Sequence, residues 1–131
     1  MRISGEQRLL QVLVTLAGGV PVSAGFMGAV TGGAFFHLAG DATAKSHGAY
    51  LSGLLLGLGL GFWSCVPELE RQSSRFALLC LIVMTGGLAR AWIVASLGGG
   101  GPTVWLALAM ELLVTPALFL WQRRIAAAIV S

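Results

Sequence analysis

Two long apolar segments joined by a glycine-rich turn constrain this chain more than any other feature. The segments cover residues 76–97 and 104–121, and the turn between them reads Gly98-Gly-Gly-Gly-Pro102-Thr103. Each segment has about the 20 apolar residues that a helix needs to cross a bilayer. We therefore predict two antiparallel transmembrane helices that are joined at one membrane face.

Each of these segments carries one charged residue inside it. Arg90 lies seven residues before the end of the first segment, and Glu111 lies seven residues after the start of the second. At 1.5 Å per residue, both lie about 10 Å inside the same membrane face. A lone charge at that position costs about 2.5–3.5 kcal/mol on insertion scales, so we predict that the two form an ion pair. Small residues on the same faces would let the helices approach: Gly86 or Gly87 beside Arg90, and Ala107 beside Glu111.

The composition extends the membrane interpretation to the whole chain. Hydrophobic residues make up 56% of the 131 residues and charged residues only 10%, a balance far from that of a soluble domain. Two further apolar segments, residues 9–27 and 50–66, bring the number of predicted helices to four. We predict an all-α, polytopic membrane protein: a four-transmembrane-helix bundle that forms a single domain over residues 1–131.

The basic residues predict the orientation of the chain in the membrane. On one side of the four segments lie Arg2, Arg8, Arg71, Arg75, Arg123 and Arg124. The other side holds Lys45 alone. Because positive charge stays in the cytoplasm, both termini are predicted to be cytoplasmic. This explains the net charge of +3 better than a nucleic-acid partner does.

Glycines at a spacing of four residues mark one face of the second helix. Gly53, Gly57 and Gly61 share that face, and small residues there let backbones approach closely. The partner is either a helix of the same chain, which we prefer because four helices must pack together, or another membrane protein or a second copy. If the partner is another membrane protein, the chain is a structural or accessory subunit; we call this alternative function the accessory-subunit hypothesis. Gly59 lies on a different face, and we interpret it as a source of flexibility.

Prolines are expected to disturb three of the helices. Pro21 should kink the first helix, and Pro67 should end the second. Pro116 should kink or loosen the fourth helix just beyond Glu111.

Three functional hypotheses remain open for the charged pair. In the first hypothesis the pair fixes the register of the hairpin. In the second, the pair lines a polar pocket near the outer face; His47 and Tyr50 complete this pocket, which binds a membrane lipid or another hydrophobic ligand. In the third hypothesis Glu111 is the proton-coupled carboxylate of a small transporter. The small multidrug exporters carry their essential glutamate in the first helix, where residues 9–27 have no acidic side chain.

No sequence motif points to an enzyme. We find no nucleophile–base pair and no cofactor motif. His37, Asp41 and His47 could be imagined as metal ligands, but their spacing fits no recognised pattern. We therefore predict a non-enzymatic protein that has no metal and no cofactor.

Several stretches resemble the domain-of-unknown-function 4345 family. They are Tyr50-Leu-Ser-Gly-Leu-Leu-Leu-Gly-Leu-Gly-Leu60, then Gly86-Gly-Leu-Ala-Arg90, and Glu111 in the last helix. The family consists of small bacterial membrane proteins with four predicted helices and no established activity. The resemblance covers about residues 9–124 and implies a four-helix architecture in a bacterial inner membrane.

The resemblance also concerns the charged positions. Arg90 and Glu111 match positions at which the family recurrently carries charge. Similar sequences tend to have a basic residue just before the Tyr-Leu-Ser-Gly run, where this chain has Ala49. A site that used that basic residue would be incomplete here. The resemblance implies no substrate.

Overall fold

A computed structural model describes residues 5–32 and 40–130 of the chain, and the regular secondary structure of this part consists of helices alone. The helices are α1 (Gly5–Thr31), α2 (Ala42–Cys65), α3 (Ser73–Leu97), α4 (Pro102–Ala109) and α5 (Thr115–Val130). A 3-10 helix, Val66–Arg71, follows α2, and a π-helical turn, Met110–Val114, joins α4 to α5.

Four stretches are long and apolar enough to cross a membrane: Gly5–Thr31, Ala42–Arg71, Ser73–Leu97 and Pro102–Ile129. The last of these, here called the fourth span, contains α4, the π turn and α5. Many large apolar side chains point outward from the helices, Leu97 being 78% exposed, which a bilayer tolerates and water does not. The predicted all-α fold with four transmembrane helices is confirmed, and this is a multi-pass membrane protein. The orientation of the termini stays a prediction.

The chain divides into two compact units. The first unit is residues 11–67, which hold most of α1 and all of α2. The second unit joins the residues up to Leu10 to those from Glu68 onward, which hold α3 and the fourth span. The assignment of one domain to the whole chain stays a prediction.

Close backbone contact between α1 and α2 holds the first unit together. A Cβ atom at Gly25 would lie 2.7 Å from the Ser52 carbonyl oxygen, and one at Gly59 would lie 2.9 Å from the Val22 nitrogen. Real Cβ atoms do not approach other atoms so closely, so both positions require glycine. The interpretation of Gly59 as a source of flexibility is therefore wrong, because it lies in the helix–helix contact.

The predicted glycine face of α2 is not used in this contact. A Cβ atom at Gly53 or Gly57 would meet no atom within 4 Å. Among the described residues, the preferred interpretation of an in-chain partner therefore fails at these two positions. The third member, Gly61, is half-buried.

The start of α2 differs from the prediction by two turns. Asp41 precedes the helix in an extended conformation, and its Oδ1 accepts a hydrogen bond of 3.0 Å from the Ala44 amide. This N-cap allows the helix to begin at Ala42, because it satisfies a backbone donor that would otherwise have no acceptor. The predicted start at Tyr50 is therefore wrong.

The polar hydroxyls of the spans bond to their own helices. Four of them donate to a carbonyl four residues earlier, at 2.7–2.8 Å: Thr15 to Gln11, Ser23 to Gly19, Thr85 to Leu81 and Ser96 to Trp92. Such bonds satisfy the hydroxyl donor inside one helix, which suits a segment surrounded by lipid.

Glycines flank the turn between α3 and the fourth span, Gly98 as the C-cap of α3 and Gly101 as the N-cap of α4. Gly98 adopts the left-handed conformation with φ 84°, and the Gly99 amide donates to the Val94 carbonyl at 2.8 Å. Glycine adopts this conformation without steric cost and commonly ends helices. Pro102 then occupies the first turn of α4, where its missing N–H removes no helical bond.

Candidate functional site

Arg90 and Glu111 meet across the hairpin of the second unit. The Arg90 Nε lies 3.3 Å from Oε1 and 3.1 Å from Oε2 of Glu111, and Nη2 lies 3.1 Å from Oε1. The guanidinium thus presents one edge to the carboxylate, in the two-pronged arrangement that arginine can form and lysine cannot. The equal depth of the two residues in the sequence was sufficient to predict this contact.

Gly87 makes room for the pair. A Cβ atom at Gly87 would lie 2.8 Å from the Glu111 Cβ and 2.9 Å from the Leu112 Cδ2. The Glu111 side chain therefore starts directly opposite Gly87, one turn from Arg90. Helical side chains lean toward the start of their own helix, so Glu111 leans toward the level of Arg90. Gly86 has no atom within 4 Å of the equivalent position, and its predicted packing role is wrong.

The π turn lies at Glu111 itself. The Thr115 amide bonds to the Met110 carbonyl five residues earlier, and the Thr115 hydroxyl donates to the same oxygen at 2.7 Å. Pro116 follows at once and cannot donate to the Leu112 carbonyl, with which its ring would clash in a regular α-helix. The predicted loosening beside Glu111 therefore takes the form of a π turn, a feature frequent at functional sites.

The pair is only partly covered. The side chain of Arg90 is 44% exposed and that of Glu111 is 19% exposed. The bonds of 3.1–3.3 Å are longer than the 2.7–2.9 Å of strong charge-assisted bonds. A dry ion pair that only clamps the two helices would have shorter bonds and less exposed side chains. The Arg90 guanidinium can therefore still donate a hydrogen bond to a further acceptor.

An apolar groove lies next to the pair, between α3 and the fourth span. Its volume is about 340 Å³, and it extends to the glycine turn. The lining side chains are Ala91, Val94 and Ala95 from α3, and Trp105 and Leu108 from α4. Arg90 and Glu111 are not among the lining residues. Val94 is one turn beyond Arg90, and Leu108 is one turn before Glu111, so the ion pair lies one helical turn from the groove lining.

One lining side chain is tied to the turn. The Trp105 Nε1 donates to the Gly100 carbonyl at 3.0 Å. This bond fixes the indole ring at the mouth of the groove and satisfies its only polar atom. The groove has no sequence signal apart from the turn.

The other two predicted site residues lie in the first unit. His47 and Tyr50 belong to the first turns of α2, and both are exposed, Tyr50 by 66%. They are one turn apart and so share a side of the helix. Their grouping with Arg90 and Glu111 in one pocket stays a prediction.

The structure describes only two of the three residues of the metal hypothesis, which the sequence analysis did not favour. His37 lies outside the described residues, while Asp41 caps α2 and His47 lies inside it. In the described ranges, no three side chains of His, Cys, Asp or Glu come together as metal ligands. Both cysteines, Cys65 and Cys80, are buried.

A buried polar cluster of the second unit was missed by the sequence analysis. Gln122 is 1% exposed, and its Nε2 donates at 2.9 Å to the Leu69 carbonyl and at 2.9 Å to the Ser73 hydroxyl. Nearby along the chain, Arg124 forms an ion pair with Glu6. From the sequence alone, a glutamine at the polar end of a predicted span is expected to be exposed to solvent. No sequence signal therefore predicted that Gln122 is buried.

Comparison with known proteins places the chain in a family without assigning an activity. Neither the curated proteins nor the solved structures contain a match. A family described as Domain of unknown function (DUF4345) matches residues 9–122. That range includes all of the second and third spans, most of the first and fourth spans, and both members of the ion pair, as the resemblance of the charged and glycine positions implied. Because the match covers most of the chain, this small membrane protein belongs to the DUF4345 family.

Proposed function

We propose that this protein binds a lipid or another hydrophobic ligand in the groove beside Arg90 and Glu111. The observation that carries the proposal is the combination of an apolar groove with one half-exposed guanidinium about one helical turn from its lining residues. The volume of about 340 Å³ is at the lower end of the range for small-molecule sites. If each water-sized group occupies roughly 30 Å³, the groove holds about eleven such groups, which corresponds to a segment of one acyl chain.

The polar part of the site supports binding rather than chemistry. Arg90 and Glu111 neutralise each other, and no nucleophile lies among the lining side chains. A membrane arginine normally serves a pathway, a ligand or a structural partner. Here Glu111 is the structural partner, and it leaves part of the Arg90 guanidinium accessible. The ligand hypothesis therefore accounts for both the ion pair and the accessible part of the guanidinium.

The proton-coupled transporter hypothesis gains less support. Its carboxylate would have to release and bind a proton, yet Glu111 accepts three hydrogen bonds from Arg90. The accessory-subunit hypothesis keeps the open face at Gly53 and Gly57.

A groove-filling substitution tests the proposal. The full-length protein is purified in detergent and incubated with phospholipids and neutral glycerolipids that carry oleoyl chains, and the lipid retained per protein is measured. Val94→Trp should lose most of the retained lipid, because the indole occupies the groove. Ile93→Trp is the matched control, since Ile93 is 54% exposed and does not line the groove. Equal lipid retention by the two variants would contradict the proposal.

A further inference from the structure

Arg90 has donors that its partner does not use. Nε and Nη2 bond to Glu111, while Nη1 makes no hydrogen bond to any residue in the described part of the chain. A guanidinium has five N–H donors, two of them on Nη1. In hydrocarbon an unused donor costs free energy, so this edge favours a ligand that supplies an acceptor.

Glu111 offers little in return to a ligand. Its side chain is only 19% exposed, and both carboxylate oxygens already accept from Arg90. The accessible chemistry of the pair is therefore donation alone. A ligand with an ammonium group would find no comparable acceptor beside the groove.

The charge of the pair decides which acceptor fits. Because Arg90 and Glu111 sum to zero, an anionic head group would bring an uncompensated negative charge into the site. A lone charge inside the membrane is unfavourable. A neutral carbonyl oxygen can accept from Nη1 without that cost.

The depth of the pair points the same way. The 25 residues of α3 span about 37 Å, so a centred helix places Arg90 roughly 7 Å from the bilayer midplane. The hydrocarbon core extends about 15 Å to each side of that plane. A head-group phosphate lies outside this core, whereas the ester carbonyl of a lipid without a phosphate can descend into it.

We propose that the groove selects a neutral glycerolipid, of the diacylglycerol type, whose ester carbonyl accepts from Nη1 of Arg90. This inference rests on the proposed lipid-binding function and adds its head-group chemistry. One acyl chain lies against Val94, Trp105 and Leu108, and the second chain stays in the bilayer. Anionic phospholipids of the same chain length bind less well.

A competition between two lipids tests the head-group preference. The full-length protein is incubated in mixed micelles with equimolar dioleoylglycerol and dioleoylphosphatidylglycerol, purified again, and extracted for quantification of both lipids. The chains are identical, so the ratio reports the head group. The wild-type protein should retain at least fivefold more dioleoylglycerol, and an excess of dioleoylphosphatidylglycerol would overturn the inference.

Variants of the pair sharpen the result. Glu111→Gln leaves Arg90 with an uncompensated positive charge, so the ratio should shift at least tenfold toward dioleoylphosphatidylglycerol. The double variant Arg90→Gln with Glu111→Gln is neutral and keeps amide donors, so it should retain the preference for dioleoylglycerol. An unchanged ratio in Glu111→Gln would show that pair charge does not set selectivity and would refute the inference. If Glu111→Gln does not fold, the double variant and the wild-type ratio still decide the outcome.

The two proposals fail in different ways. If Val94→Trp retains both lipids as the wild-type protein does, lipid binding in the groove is wrong, and the head-group inference falls with it. If Val94→Trp loses both lipids while the wild-type protein prefers the phosphatidylglycerol, the groove is a lipid site and only the neutral head group is wrong.

Discussion

Two neighbouring glycines of α3 should respond oppositely to the same substitution. At Gly87, the added methyl group of Gly87→Ala would lie 2.8 Å from the Glu111 Cβ and 2.9 Å from the Leu112 Cδ2. Carbon atoms in contact prefer about 3.5–4.0 Å, so the two helices must separate by several tenths of an ångström at least. Overpacking of this kind costs about 1–3 kcal/mol. At Gly86 the same methyl group would meet no atom within 4 Å.

The comparison isolates the packing effect. Both substitutions gain the same helix propensity, about 0.5–1 kcal/mol for alanine over glycine. The difference between the two free energies of unfolding is therefore the packing cost alone, about 1–3 kcal/mol. Gly86→Ala should stabilise the protein slightly, and Gly87→Ala should destabilise it.

The measurement is reversible unfolding in mixed micelles, titrated with sodium dodecyl sulfate and followed by circular dichroism. Equal stabilities of the two variants, within about 0.5 kcal/mol, would refute the close approach of α3 and the fourth span at Gly87. If Gly86→Ala were less stable than Gly87→Ala, the contact with the fourth span would lie on the Gly86 side of α3 and not on the Gly87 side. The reasoning on which Arg90 meets Glu111 would then fail as well, because Gly87 allows that meeting.

Three further predictions concern other parts of the chain. In α2, Gly59→Leu should reduce the yield of folded protein by disrupting the contact with α1, whereas Gly57→Leu should not; similar folded yields by size-exclusion chromatography would count against the contact. Pro116→Ala restores a backbone donor and should slow hydrogen exchange in the π turn, and unchanged exchange would mean that side-chain packing, not the proline, sets the turn. Gln122→Ala should cost about 1–3 kcal/mol because it leaves buried groups unpaired, while Arg124→Ala removes an exposed ion pair worth about 0–1 kcal/mol; equal unfolding midpoints would contradict this ranking.

The long-range contact of the site was predictable because depth is a one-dimensional property. Counting residues from the glycine turn gives the same level for Arg90 and Glu111, whatever the rotation of each helix. Rotation is harder to predict, and it decided between Gly86 and Gly87. In an almost wholly apolar helix, no polar stripe marks the inward face, so the two neighbouring glycines could not be told apart.

The same limitation explains the error at Gly59. A spacing of four residues singled out Gly53 and Gly57, but close contact in the first unit uses Gly25 of α1 against α2 near Ser52, and Gly59 against Val22. Glycine spacing within one helix shows where a backbone can approach another, and only the partner helix determines where it does. The early start of α2 had a local signal, Asp41 as an N-cap, which the count of apolar residues from Tyr50 concealed.

The π turn also affects how this protein can be probed. One extra residue in a helix rotates everything beyond it by about 100°. A helical wheel drawn through the whole fourth span with a single period would therefore misassign the faces of α5 relative to those of α4. Cysteine scanning or spin labelling along the fourth span needs two separate wheels, one ending at Ala109 and one beginning at Thr115. A pattern of accessibility that breaks phase between these residues is the expected signature of the turn in a membrane.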